Sequence, residues 1–425
     1  MANNLLTISQ ITNDALDVLT NQLTFADGVV REYDDQFART GAKIGNTLNI
    51  RKPGRFIGTS GPNLAVEDFN ETYVPLVLGS TANYGDQFHV DTSFTTQDLL
   101  LSLGDFSERI VKPAIAAIAN RIDYVGLQMA KNSVANIVGI PGTAPTSFLT
   151  YLNAQAILDS EAAPRDGNRR IVMEPFTNAA IVDSLKGLLT PENTVGDQYK
   201  KGMMGRDAAG LSWFLDQNVA LQNFGYWAGA SASTLTYNTS TMAGALSSGW
   251  ASNSTITLTN GAALTLNQGD TFTIAGVYGV NPQNRQSYGR LRNFVVNSTV
   301  SASGSGTISV NVSPAIITAG QFQNCVVTST SSTATVTPLS IGVSGAGTVS
   351  PQNIMFHKNA FAFATADLPM VDGVDKCSRS SDKDAGLSIR LVRQYTINND
   401  SLPARFDVLF GWAPLYPELA VRVAA

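Results

Sequence analysis

Two histidines, His89 and His357, and two cysteines, Cys325 and Cys377, are all that the chain offers for imidazole or thiolate chemistry. His89 stands in Gln87-Phe-His-Val and His357 in Met355-Phe-His-Lys. Both are strand contexts with an aromatic neighbour, where a histidine reads as a partly buried polar residue at a strand end. A zinc-type site needs several soft or imidazole ligands close together, and the cysteines have no ligand-type spacing, so they read as free thiols of a reducing cytoplasm. No Gly-x-Ser-x-Gly elbow occurs, and no phosphate loop ends in Gly-Lys-Ser/Thr. Gly41-Ala-Lys-Ile-Gly-Asn-Thr starts like such a loop but lacks its lysine and its spacing. Gly342-Val-Ser-Gly-Ala-Gly follows no βαβ pattern, which argues against a dinucleotide site. The adjacent acids Asp34-Asp35 and Glu67-Asp68 have nothing that would set them across a cleft as a glycosidase pair. The expectation is no catalytic residue, no cofactor and no metal.

One local basic cluster, Arg51-Lys-Pro-Gly-Arg55, could touch nucleic acid or pair with acids of a neighbouring subunit. With 28 Lys and Arg against 33 Asp and Glu, the net charge is −5, which favours pairing. Charged residues make up 14% of the 425 residues, against about 25% in an average soluble domain. Either much of the surface is neutral and polar, or neighbouring subunits cover it. The stretch from Met1 to Ile8 lacks a positive n-region and a long apolar core, and no run of about 18 apolar residues occurs anywhere. Neither export nor a membrane span is expected.

The elements that would carry these residues follow from periodicity. From about Ser9 to Arg39, Ile11, Ala15, Val18, Leu19, Leu23, Phe25, Val29 and Val30 recur mostly at helical spacing, which predicts a helix or broken helix. Thr47-Leu-Asn-Ile-Arg and Thr72-Tyr-Val-Pro-Leu-Val-Leu flank a Gly- and Pro-rich stretch and predict an extended hairpin, whose tip is either an irregular surface loop or held by a partner. The longest helical stripe, Phe106, Ile110, Ala114, Ile118, Ile122, Val125 and Met129, runs from Ser102 to Asn132. Pro113 must either kink that helix or stand in its first turn. A helix near Ser147 to Ala162, a strand at Arg170-Ile-Val-Met and a helix near Thr177 to Leu189 predict mixed packing. Strands are expected at Asn353 to His357 and Phe361 to Thr365. An antiparallel pair is expected from Leu387 to Tyr395 and Ala404 to Trp412, with Asp407 alternating against Phe406 and Val408.

Charge density falls abruptly inside the chain. Between Asp216 and Lys358 only Asp270, Arg285, Arg290 and Arg292 are charged. Ser254-Thr-Ile-Thr-Leu-Thr, Thr271-Phe-Thr-Ile-Ala, Thr307-Ile-Ser-Val-Asn-Val and Cys325-Val-Val-Thr alternate there with period two. An inserted, autonomous β-barrel or sandwich over residues 229–345 is the expectation.

Three stretches carry a family resemblance: Lys112-Pro-Ala-Ile-Ala-Ala-Ile-Ala-Asn-Arg-Ile-Asp; Gly205-Arg-Asp-Ala-Ala-Gly-Leu-Ser-Trp-Phe-Leu-Asp-Gln-Asn-Val; and Leu266-Asn-Gln-Gly-Asp-Thr-Phe-Thr-Ile-Ala-Gly-Val. In their order along the chain they resemble the major capsid proteins of tailed double-stranded DNA bacteriophages, and more closely the short-tailed-phage coat proteins with an inserted β-barrel. The resemblance implies an α+β fold. Its parts would be an N-terminal arm at 1–40, an extended hairpin loop at 41–94, a peripheral domain at 95–135 and 387–425, an axial domain at 136–228 and 346–386, and the inserted barrel at 229–345. It implies pentamers and hexamers in an icosahedral head around DNA that is not read by sequence. A separate scaffolding protein, a portal and decoration proteins are the implied partners, with assembly in the host cytoplasm. Within that frame Arg51, Lys52, Arg55, Glu67 and Asp68 are the candidate inter-subunit contacts. Phe106, Ile110, Ile118, Ile122 and Met129 are the candidate core of the spine helix, facing the closing strands around Phe406 and Phe410. A bacterial surface or adhesive protein is the rival reading, suggested by the Ser- and Thr-rich β module and opposed by the missing export signal.

Overall fold

The computed structural model of the protein describes residues 8–31, 46–58, 60–64, 66, 71–95, 111–185, 207–225, 235–238, 242, 244–261, 263–328, 333–339, 348–382 and 386–425. The chain divides into two units. The first comprises Met1–Ile50, Tyr73–Met129 and Phe361–Leu415, and the second Arg51–Thr72, Ala130–Ala360 and Tyr416–Ala425.

In the first unit the long strand Ser401–Pro414 is the axis of a five-stranded sheet. Gly85–Thr95 runs antiparallel along one side of it, and on the other side Leu387–Arg393 and then Phe361–Ala366 pair with it. Lys376–Asp382 extends the sheet beyond Leu387–Arg393. The expected antiparallel pair is therefore present, from Arg390 opposite Asp407 to Arg393 opposite Ala404. Helix α1, Ile8–Gln22, buries Thr12, Ala15, Leu16 and Leu19, one stripe at three- and four-residue spacing, and packs on Lys376–Asp382 and Leu387–Arg393. After it the chain turns at Ala26–Gly28, and Val30 joins the edge of Phe361–Ala366, so the expected broken helix is a short helix and a buried turn.

Helix α2, Lys112–Ser133, carries Pro113 in its first turn, where a missing backbone donor is tolerated. Ile118, Ile122 and Met129 are all fully buried, while Phe106 and Ile110 lie outside the described residues. Gly126 lets α2 approach an aromatic cluster in which Trp412 stacks on Phe25 at 5.2 Å and meets Phe363 in a tilted contact at 4.7 Å between centroids. One turn earlier the buried Asp123 accepts from the backbone amides of Thr24 (2.8 Å), Phe25 (3.3 Å) and Ala26 (3.1 Å). Those amides follow the end of α1, and the carboxylate supplies an acceptor for all three.

Asp407 departs from the expected alternation. It is buried, because both faces of its strand are covered, and it is neutralised by Arg405 and by Arg390, whose Nη2 lies 2.6 Å from Oδ2.

The second unit contains a mixed sheet in the order Ile137–Val138, Ala420–Ala424, Val349–His357, Arg169–Met173, Leu211–Leu215, Asp207–Ala208, with Leu221–Asn223 beside the start of Val349–His357. Helix α3, Phe148–Ser160, capped by the Ser147 hydroxyl on Leu149 N, and helix α4, Pro175–Leu185, contribute Tyr151, Ala154, Leu158 and Ile181 to its core with Trp213, Met355, Val421 and Val423. The sequence boundaries shift here. Phe361–Ala366 and Lys376–Asp382, expected in the axial part, belong to the first unit's sheet. Ala420–Ala424, expected in the peripheral part, pairs with Val349–His357 in the second. The end of the expected hairpin, Gly85–Thr95, is likewise a sheet strand, and the hairpin itself is Thr47–Lys52 paired with Thr72–Val77.

The insertion is a closed barrel of six antiparallel strands: Leu235–Asn238, Ser254–Asn260, Gly306–Ser313, Ser287–Val296, Thr271–Val280 and Thr333–Pro338, the last pairing with the first to close the ring. Ser254–Asn260 alternates buried and exposed along its whole length, which is what period-two patterning predicts for a barrel wall. Phe272, Phe294, Ile256, Leu258, Val310 and Val336 fill the interior.

Candidate assembly interface

The chemical inventory stays dispersed. Among the described residues no group of three or more His, Cys, Asp or Glu could hold a metal ion, and no helix is long and apolar enough to cross a membrane. His357 is buried, its Nδ1 faces the Asn359 amide at 3.3 Å, and its Nε2 is 3.1 Å from Asp166 Oδ1. An Nδ1 that accepts from an amide leaves the proton on Nε2, which then donates to the carboxylate. Asn168 above all, with His357, holds the Asp166 carboxyl down at about 2. His89 faces Asp91 at 3.4 Å on the exposed side of its strand. Cys325 is a buried free thiol pushed up to about 11 by burial, and Cys377 is a half-exposed one. These are structural roles: a fixed strand end, a solvated pair and core packing.

The hairpin is the candidate contact element. Arg51 is 80% exposed and only 3.7 Å from Glu71, a loose surface pair. Lys52 and Arg55, expected to reach a neighbour, are engaged within their own chain. Arg55 Nη2 lies 3.2 Å from Glu418 Oε1, and Lys52 Nζ stands 4.5 Å above the Tyr416 ring. Glu67 and Asp68 lie outside the described residues. The sequence reading favoured charges and passed over the apolar side chains of the same loop. Leu64 is 91% and Val66 82% exposed, and Phe56 is largely exposed too. The signal for them was available, because apolar residues in a Gly- and Pro-rich stretch without helical or strand periodicity have no element of their own to bury them.

The barrel is joined to the mixed sheet by two buried polar clusters, which the sequence reading also missed. At the C-terminal end of α3, Glu161 accepts from Tyr288 Oη at 3.0 Å and pairs with Arg292. Burial pushes the Glu161 carboxyl above the usual carboxylate range, against the pull of Arg292. In the second cluster Asp270 accepts from Asn267 N (2.9 Å), Gly225 N (3.0 Å) and Gln222 Nε2 (3.0 Å). Arg422 donates to Gly269 O at 2.8 Å. Burial raises Asp270 to about 6, although the three hydrogen bonds and Arg422 oppose it, and burial lowers Arg422 to about 10. The barrel is accordingly not set apart as a compact unit of its own.

No curated protein matches the sequence. Among solved structures the fold is similar to one from Mycobacterium phage Che8, with 12% identity over 94% of this chain and 90% of the other and a TM-score of 0.44. The mature capsid of bacteriophage PhiM1 shows 10% identity over 90% of this chain and 82% of the other, with a TM-score of 0.41. The capsid of Ralstonia phage GP4 shows 6% identity over 90% and 84%, with a TM-score of 0.42. A family model described as P22 coat protein, gene protein 5, matches residues 1–423. Since that match runs along almost the entire sequence, the chain belongs to the P22 coat protein family, a structural bacteriophage capsid protein and not an enzyme.

Proposed function

We propose that this coat protein forms pentamers and hexamers that tile an icosahedral shell around double-stranded DNA. In this reading the first unit is the peripheral part, the sheet of the second unit with α3 and α4 is the axial part, and the hairpin reaches over an adjacent subunit. The observation that carries the hairpin's role is its surface: Phe56, Leu64 and Val66 expose apolar area on the same loop that begins at the exposed Arg51. Exposed apolar side chains carried on one loop suit a partner surface. The low charge content supports the same reading, since subunits in a shell cover much of one another. An acidic chain has little attraction for the DNA it encloses. A separate scaffolding protein, a portal and decoration proteins complete the proposal as partners, with assembly in the bacterial cytoplasm before the protein resides in the virion.

The test is a double variant, Arg51→Glu with Leu64→Ser. It leaves Lys52 and Arg55, which have partners in their own chain, unaltered. The subunit should fold as the parent does, while negative-stain microscopy and sedimentation show shells reduced or absent. Parent-like shells would remove the hairpin from the inter-subunit contact.

A further inference from the structure

The stem of the hairpin, from Arg51 to Ile57, is held from three directions by groups of different chemistry. The Lys52 ammonium lies 4.5 Å from the Tyr416 ring centroid and 5.5 Å from that of Trp250. Arg55 pairs with Glu418 at 3.2 Å, with both side chains about a quarter exposed. Arg285 Nη2 donates to the Phe56 carbonyl at 3.3 Å while the same guanidinium also donates to Gln321 O at 2.9 Å. Tyr416 and Glu418 come from the C-terminal turn, but Trp250 and Arg285 belong to the inserted barrel's loops.

The Arg285 loop is built to hold that position. Asn281 Oδ1 accepts from Gln283 N (2.9 Å) and Asn284 N (3.3 Å), and Asn281 Nδ2 donates to Ser160 O (2.8 Å) at the end of α3. Arg285 itself has φ of 57°, a left-handed conformation that a residue with a long side chain seldom adopts. Trp250 is likewise fixed, packed with Leu246 and Ala251 against Ala315, Ile317 and Phe322. A cation over two rings and a guanidinium on a main-chain carbonyl both act on the stem, not on its tip. Phe56, Leu64 and Val66 are left outward.

We infer that the inserted barrel is a clamp on the hairpin stem: Trp250 and Arg285 hold Lys52 and the Phe56 carbonyl, and so fix the direction in which the hairpin leaves the subunit. Only the consequence for assembly rests on the function proposed above. The clamp itself is a statement about the unassembled chain.

Trypsin reads it directly, because the Arg55–Phe56 bond lies within the clamped stem, and native-state cleavage follows the population of the opened form. The full-length unassembled subunit is compared with Arg285→Met, Lys52→Met and Lys52→Arg, each checked for an unchanged thermal midpoint. Cleavage at Arg55–Phe56 should accelerate about tenfold in the two methionine variants, a loss typical of one partly desolvated cation contact, and stay at the parent rate in Lys52→Arg, which keeps a cation over the rings. Parent-like cleavage in both methionine variants overturns the clamp, as does equal acceleration in Lys52→Arg and Lys52→Met. Shell formation is followed separately by light scattering. A stem that is cut faster but still builds shells at the parent rate upholds the clamp and counts against the hairpin as the inter-subunit contact.

Discussion

Replacing Glu161 by Met leaves the Arg292 guanidinium in a site where it is 4% exposed, with only the Tyr288 hydroxyl, at 3.3 Å, of its present side-chain partners. Arginine cannot shed its proton in a protein, so the charge stays and its burial is uncompensated. Breaking a buried pair in this way costs about 3–5 kcal/mol. The converse change, Arg292→Met, is milder, because burial already pushes the Glu161 carboxyl upward. Without Arg292 the opposing pull is gone, and burial pushes the carboxyl further toward its neutral form, which the Tyr288 hydroxyl can still reach. Glu161 also sits at the C-cap of α3, where the negative end of the helix dipole disfavours a carboxylate and makes protonation easier still. The expected order is therefore about 4–5 kcal/mol for Glu161→Met and about 3 kcal/mol for Arg292→Met. The double variant, which fills the site with apolar groups of similar volume, should fall within about 1 kcal/mol of the parent. At roughly 2–4 °C per kcal/mol for a unit of this size, the single variants melt roughly 10 °C early and the double close to the parent. Circular dichroism melts of unassembled subunits decide the matter. If Arg292→Met is the more damaging single change, or if the double loses the sum of the two, the pair does not hold the barrel in the way described.

Gly126→Ala places a methyl 2.6 Å from Trp412 Cζ2 and 2.9 Å from Phe25 Cδ1, and those buried rings have no room to retreat, so thermal melting should show a loss of about 1–3 kcal/mol or more. Ile118→Ala empties a fully buried position on α2 and should cost about 2–5 kcal/mol, seen as insoluble or early-melting subunits; a parent-like melt would mean that the helix face is misassigned. Asp270 gives a pH signature. Burial raises its folded value to about 6 from 3.8, so the folded state holds the proton more tightly than the unfolded chain. Its contribution is full below about pH 4 and is lost as pH rises through about 6. Urea melts of the parent minus those of Asp270→Asn should show a difference that grows as pH falls from 7 to 4, and a flat difference would refute the assignment.

Local patterning carried the sequence reading far in some places and failed in others for identifiable reasons. The helix stripe from Ala114 to Met129 and the strands at Ser254 and Thr307 were legible because each buries one face, which stamps its period on the residues. The strands that close the barrel were not. Ser287–Val296 begins Ser-Tyr-Gly-Arg-Leu-Arg, where Tyr288 and Arg292 turn toward Glu161 and overwrite the alternation. Asp407 failed for a related reason, because a strand covered on both faces has no solvent side on which to put its acid. The pairing of Gly85–Thr95 with Ser401–Pro414 and the exchange of the last strand, Ala420–Ala424, between units are long-range choices that no local window records.

The scarce charges of the insertion carry the most information in the chain. Four stand between Asp216 and Lys358. Asp270 meets Gln222 and Gly225, Arg292 meets Glu161, Arg285 meets the Phe56 carbonyl, and only Arg290 is simply exposed. The surface of this module is solvated largely by Ser, Thr and Asn, so its few charges are not needed in number for solubility. A charge taken out of water is costly unless a partner is fixed opposite it. What a buried pair supplies is direction: it is favourable in one relative placement and unfavourable when displaced. A barrel whose wall is neutral hydroxyls could otherwise slide or rotate against its neighbour with little penalty. Two buried charges and one strained arginine remove that freedom at three points, two against the mixed sheet with α3 and one against the hairpin stem. The low charge density that marked the insertion as a separate module thus also marks, at its exceptions, where the module is fastened.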